Sequence, residues 1–246
     1  MAIVWQKQQG GSHYQVRQAG KTLRLYTDGV FHTQYRPDRV SGGGYWDMLA
    51  FAPLLYPPGT IRRVLVLGVG GGAVIHSLRA LVQPAHIDAV ELNPVHVAIA
   101  KRWFGLGGRQ PNLSFHVMDA RAFVASYRGP KFDLIVEDVF GQHDGEPCRA
   151  IAMDKKWMRA LRRCLAHDGM LVSDYTDRRE FRASLPLASW QGIYTMTLPT
   201  YENIVGIYVR RKELVMDVDA VLRKLAATDK RISAKGLKFS LRKVQL

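Results

Sequence analysis

Cysteine is nearly missing from this chain of 246 residues: Cys148 and Cys164 are the two, with neither a CxxC pair nor a histidine-rich setting around them. That excludes a disulfide framework and a thiolate metal centre, so two ordinary thiols and no metal are expected. No apolar run approaches the about eighteen residues of a membrane span. The opening MAIVWQKQQGGSHY also lacks the charged-then-apolar layout of a secretory leader. A cytoplasmic protein without membrane contact is the expectation. Acidic residues are scarce, 21 Asp plus Glu against 35 Lys plus Arg, for a formal charge of +14. The excess is C-terminal: from Arg210 to Leu246 there are eleven basic and four acidic residues, 11 − 4 = +7. Such a tail can attract nucleic acid by counterion release, but solvated tails of this kind are commoner, and nucleic-acid binding is not expected.

An apolar content of 47% is enough for a real core. The first 43 residues alternate polar and apolar in short runs (QVRQ, KTLRLYT, VFHTQY) between Ala-Gly and Asp-Gly turn signals, which predicts a small N-terminal β-meander. YWDMLAFAPLLY then carries helical spacing until Pro57 and Pro58 stop it. From Ile61 the pattern becomes β and α in alternation. Strands fit RRVLVLGV, HIDAVEL, NLSFHVM, KFDLIVEDV and DGMLVSDY, with helices through SLRALV, HVAIAKRWF and KKWMRALRRCL. Alternation of this kind argues for a parallel sheet with right-handed crossovers. GIYTMTLPT and NIVGIYVRR close it as an antiparallel hairpin. The fold expected over 44–212 is therefore α/β: a Rossmann-like, class I methyltransferase arrangement with a mostly parallel seven-stranded sheet. A C-terminal helix and the basic tail would occupy 213–246.

The candidate site lies at the strand ends. In VLVLGVGGGAV a buried strand ends in Gly68, Gly70, Gly71 and Gly72 before a helix, so the backbone can turn tightly against a ligand at the positive helix terminus. Any tight strand-to-helix turn can use glycine, and the turn alone is weak support. Glu91 ends the next strand, about one βα unit downstream, where a carboxylate can accept both ribose hydroxyls. The plainer alternative is an exposed acid beside a helix capped by Asn93. Asp119, followed by Ala120, ends a third strand beside the expected adenine position and can equally serve as an N-cap. Glu137 and Asp138 end a fourth, facing the crevice where open α/β sheets bind ligands. A nicotinamide enzyme shares the first two features; the later ones and the closing hairpin favour an adenosyl-sulfonium cofactor.

Together these segments resemble the spermidine synthase (polyamine aminopropyltransferase) family from about Tyr26 to Arg210. YTDGVFHTQYRPD is similar to its L-D-G-x-x-Q hairpin and YWDMLAFAPLL to its Y-x-E-M-L-x-H-x-P-L helix. VLVLGVGGGA, AVELNP, MDARAF and FDLIVEDVFG stand where it has G-G-G-D-G-G, v-E-I-D, G-D-G-x-x-F and D-S-S-D-P, and TLPTYENIVGIYV resembles x-i-P-T-Y-P-S-G-x-i-G-f. The resemblance implies aminopropyl transfer from decarboxylated S-adenosylmethionine to a small amine acceptor. Asp138 would be the base, Tyr45 and Tyr201 would line the acceptor pocket, and the chain would form a homodimer. The plainer alternative for either tyrosine is a core aromatic with a satisfied hydroxyl. The sequence departs from the pattern at Gly71 (the loop Asp), His32, Asp47, Phe51 and Gly141 (the second loop Asp). Lost carboxylates weaken polyamine binding, and Gly71 removes the charge that disfavours intact S-adenosylmethionine. In GQHDGEP, read as a longer gating loop, Asp144 stands in for the missing second acid or is a solvated loop acid, and His143 is a candidate base or an ordinary loop histidine. The rival expectations are a methyltransferase on the same fold and a nucleoside-binding homologue without turnover.

Overall fold

The computed structural model describes residues 1–41, 44–143, 146–232 and 239–245. Four antiparallel strands in sequential order open the chain: β1 (Ala2–Gln9), β2 (Ser12–Ala19), β3 (Thr22–Thr27) and β4 (Val30–Tyr35). The meander thus has one strand more than its turn signals announce. Helix α1 (Tyr45–Phe51) continues into a 3-10 turn (Ala52–Leu55) and leads to the main sheet.

That sheet comprises β5 (Arg63–Leu67), β6 (His86–Glu91), β7 (Leu113–Val117), β8 (Phe132–Glu137), β11 (Leu165–Tyr175), β12 (Gly192–Thr197), β13 (Ile204–Val209) and β14 (Ser240–Lys243). Between β8 and β11 lies a small hairpin, β9 (Phe140–His143) with β10 (Glu146–Arg149). The strand order is β14-β12-β13-β11-β8-β5-β6-β7, with β11, β8, β5, β6 and β7 mutually parallel and β13 antiparallel to both its neighbours. The expected seven strands and closing hairpin are present. The eighth, β14, comes from the basic tail and pairs antiparallel with β12, Met196 opposite Leu241. Part of the presumed solvated tail is therefore a sheet edge; 233–238 and 246 lie outside the described residues.

The alternation of strand side chains builds a core on each face. Val64, Val66, Val136 and Val172 pack on one side with α1 and α2 (Ala73–Leu81). Leu65, Leu67, Ile135 and Leu171 pack on the other with α4 (Ala120–Ser126) and α5 (Lys155–Cys164). Burial on both faces is why these strands read as unbroken apolar runs. Helix α3 (Pro94–Trp103) offers Val95 and Ile99 to Tyr14, Val16 and Leu25, docking the N-terminal sheet. Helix α6 (Arg178–Ser184) follows β11, and α7 (Val218–Thr228) falls in the expected C-terminal helix. Among the described residues no helix is long and apolar enough to cross a membrane. Cys164 is buried, Cys148 half-buried, and both thiols are free.

Candidate active site

Because β6 lies on one side of β5 and β8 on the other, the strand order reverses at β5/β8, and a crevice opens beyond the carboxyl ends of the two strands. Gly68 follows β5 with φ +82°, and a Cβ there would stand 2.0 Å from the Asp138 carbonyl oxygen. Only glycine lets the two strand ends touch. The cavity above them measures about 830 Å³ and is lined by Gly68, Gly70, Glu91, Asp119, Ala120 and Asp138, together with Tyr45 and Tyr201.

Gly71 and Gly72, expected at the cofactor, do not line this space. A Cβ on Gly71 would meet Thr33 Cγ2 at 2.9 Å and the Phe104 ring at 3.0 Å, and one on Gly72 would meet Leu106 at 2.3 Å. The Gly71 N–H donates to Thr33 Oγ1 at 2.9 Å. These two glycines seat α2 against its surroundings. The room left by the missing family acid is filled by Thr33 and Phe104.

Glu91 is buried rather than exposed. Its Oε2 accepts from the N–H groups of Val69 and Gly70, each at 3.0 Å, and its Oε1 from Asn93 N–H at 2.9 Å. The carboxylate thereby ties the glycine turn to the end of β6. A carboxylate offers about four lone-pair positions, so acceptor capacity remains for ligand hydroxyls. Both capping alternatives are also present: Asn93 Oδ1 accepts from Val95 N–H and Asp119 Oδ1 from Ala122 N–H, each at 2.9 Å. His32 and His96 stand in the same wall, ring centroids 4.9 Å apart, and burial pushes both down to about 4, so they are neutral at pH 7. Across the cavity the Gln142 amide of β9 donates to Asp28 Oδ2 in the β3–β4 turn at 3.1 Å.

Glu137 and Asp138 do not face the crevice together. Glu137 points to the opposite face, where it is fully buried and bidentate with Arg149 at 2.8 and 2.7 Å. Ser173 Oγ donates to it at 2.5 Å and Trp157 Nε1 at 3.4 Å. Asp138 opens into the cavity. Loss of solvent, with the nearby Glu137 charge and against the pull of Arg149, pushes its carboxyl up to about 7. Its neighbour Asp174, absent from the sequence reading, follows from the strand register. Ser173 pairs with Glu137, so the next residues, Asp174 and Asp138, end adjacent parallel strands on one face. Asp174 is fully buried; Asn203 Nδ2 donates to its Oδ2 at 2.9 Å and its Oδ1 has no partner among the described residues. Desolvation and then the Asp138 charge raise it well above the ordinary carboxylate range.

The tyrosine rings of Tyr45 and Tyr201 are 5.5 Å apart and nearly edge to face. Burial, then Asp138 and Asp174, raises the Tyr45 hydroxyl, so it stays protonated and can donate. Of the GQHDGEP segment, expected as a gating loop, residues 141–143 belong to β9 and 146–147 to β10, and Asp144 lies outside the described residues.

In sum, the cavity carries five carboxylates (Asp28, Glu91, Asp119, Asp138, Glu202) against Arg121 as the one basic side chain that stays charged, among the described residues. It is an acid-lined cleft suited to cations, with the glycine turn among its lining.

Known proteins resemble this chain in sequence and in fold. A polyamine aminopropyltransferase of Vibrio vulnificus is 34% identical over 130 residues, which take in 51% of this chain and 41% of that protein. The mouse eEF1A lysine and N-terminal methyltransferase is 27% identical over 197 residues, 75% of this chain and 26% of that protein. The chain thus matches less than two thirds of the length of these curated relatives. Among solved structures, a probable spermidine synthase from Corynebacterium glutamicum superposes with a TM-score of 0.75 at 16% identity, covering 99% of this chain and 91% of that one. Human methyltransferase-like protein 13 in complex with SAH superposes at 0.58 with 20% identity, over 75% and 89%. The sequence pattern of the spermine/spermidine synthase domain matches residues 43–219, and the chain belongs to that family.

Proposed function

We propose that the protein is a spermidine synthase-like transferase that moves an aminopropyl group from decarboxylated S-adenosylmethionine to an amine acceptor. The observation that carries this reading is Asp138: a carboxylate titrating near neutrality, in backbone contact with the glycine turn and open to an acid-lined cleft. Glu91 and Asp119 are assigned to the nucleoside, Glu91 toward the ribose and Asp119 with the Ala120 N–H toward the base. Gly68 and Gly70 pass beneath the sulfonium side chain. The sulfonium supplies an activated carbon: the C–N bond forms as the C–S bond breaks, and the electron pair leaves with sulfur as a neutral thioether.

The residues of this chain do the remaining work. An acceptor amine arrives as an ammonium and has no lone pair until it loses a proton. Asp138, ionised above about 7, takes that proton and holds the cation before transfer. Tyr45 and Tyr201 confine the acceptor carbon chain and exclude water, with the Tyr45 hydroxyl available as a donor.

A second reading, methyl transfer from intact S-adenosylmethionine, is favoured by the similarity to the eEF1A methyltransferases. Calorimetry with both donors, followed by mass analysis of the acceptor, decides between them. Tighter binding of the decarboxylated donor and an aminopropyl mass gain are expected. Preference for the carboxylated donor with a methyl gain overturns the first reading in favour of the second. Binding of either donor with no transfer to any amine leaves the nucleoside-binding homologue.

A further inference from the structure

A second cavity, of about 230 Å³, adjoins the first and shares Phe31, Trp46, Ala73 and Tyr201 with it. Its electrostatics are reversed. Three arginines from the N-terminal segment, Arg24, Arg36 and Arg39, line it against Asp47 as its one carboxylate. Arg24 Nε donates to the neutral Gln34 side chain at 2.7 Å, and its guanidinium lies over Phe31, so its charge is not cancelled. Arg36 is paired with Asp38 at 2.8 and 3.1 Å, but Lys21 also draws on that carboxylate at 3.5 Å. Arg39 is exposed, and its guanidinium has no ion-pair partner among the described residues. His76, in the same wall, is pushed down by burial and by Arg79 and Arg231 nearby, and adds no charge at pH 7.

We infer that this cavity receives the carboxylate, or an equivalent anionic end group, of a substrate whose cationic end lies at Asp138. The inference rests on the transferase reading of the larger cavity and adds the class of molecule it serves. A bare diamine or polyamine would place a second ammonium among the arginines, where like charges repel. A zwitterion, ammonium toward the acid-lined cleft and carboxylate toward the arginines, complements both ends. Guanidinium groups suit this role because they bind carboxylate bidentately and stay charged at every working pH. Two sources can supply the anion: an amino-acid-like acceptor, or the carboxylate of intact S-adenosylmethionine.

The test uses the full chain, with Arg39→Gln and Arg24→Gln beside the wild type and melting curves confirming that all three fold. The first arm measures, by calorimetry in the presence of methylthioadenosine, the affinity of 4-aminobutanoate and of 1,4-diaminobutane, which differ in the charge at one end. The second arm measures the affinity of intact and decarboxylated S-adenosylmethionine. Loss of one charge-assisted contact is expected to weaken the anionic ligand about tenfold in either variant, while its cationic counterpart, relieved of a like charge, binds no more weakly than to the wild type. A fall confined to 4-aminobutanoate assigns the anion to the acceptor; a fall confined to intact S-adenosylmethionine assigns it to the donor. Unchanged affinity for every carboxylate in both variants, or tighter diamine binding in the wild type with both variants neutral, overturns the inference. Because these arms read binding, they stand apart from the transferase reading, which fails on its own if no sulfonium compound binds or no amine is modified.

Discussion

The two faces of the sheet at the end of β8 manage buried acid in opposite ways. On one face Glu137 is closed off with Arg149, Ser173 and Trp157; on the other Asp138 opens into the cavity, and Asp174 is fully buried beside it with the Asn203 amide on one oxygen. Residues one step apart in sequence thus differ in function because strand side chains alternate. The paired acid holds the β9–β10 hairpin to the sheet, since Arg149 also reaches Glu180 at 3.0 Å and donates to the Asp174 carbonyl. The unpaired acids keep their protons to higher pH, which is what a general base near neutrality needs.

The strongest test of that contrast removes the counter-charge. Arg149→Met leaves Glu137 buried without its counter-charge, held only by Ser173 and Trp157, and is expected to cost about 3–5 kcal/mol in urea unfolding; a loss below about 1 kcal/mol would show that the pair holds nothing together. Asp138→Asn is expected to do the reverse, preserving the fold and the nucleoside affinity while lowering transfer about 10²–10⁴-fold. Equal turnover in that variant removes Asp138 from the mechanism.

A milder effect follows from protonation. The Asp138 carboxyl is raised from 3.8 to about 7, so between those values the folded chain binds more protons than the unfolded one. Its contribution to stability is present below about 4, declines as pH rises through 7 and is lost above. Unfolding of wild type against Asp138→Asn should therefore diverge over that window, the variant being the flatter; parallel curves would mean an ordinary carboxyl. The smallest effect is expected at Asp119→Ala, about 1 kcal/mol from the lost helix cap, together with weaker nucleoside binding. If stability falls but nucleoside affinity does not, Asp119 is a cap and nothing more.

How far these features could be read in advance depends on the range of the interactions behind them. β5, β6, β8 and β11 were legible because strands buried on both faces leave continuous apolar runs, and Glu91 because it ends such a run one βα unit after a glycine turn. Asp174 ends the run LVSDY in the same manner; the rule that finds Asp138 also finds it, once the β8–β11 register is known. Arg149 was not legible, since its partner Glu137 is twelve residues away across a hairpin. The hairpin itself is announced only by Asp-Gly between two short polar runs. β14 lacked any signal stronger than a basic tail, because an edge strand such as SLRK needs only its partner's backbone. Gly71 misled because a glycine-rich turn has two sides, and sequence does not say which of its Cα atoms looks outward.

The absent side chain at Gly68 has a mechanical meaning as well. Since the β5 end rests directly on the Asp138 peptide, the glycine turn and the Asp138 carboxyl, the two points to which the proposed reaction would anchor its reactants, are joined by backbone contact. The spacing between the two anchoring points is therefore set by backbone contact rather than by any movable segment, and even a methyl group at that position would push the partners out of line.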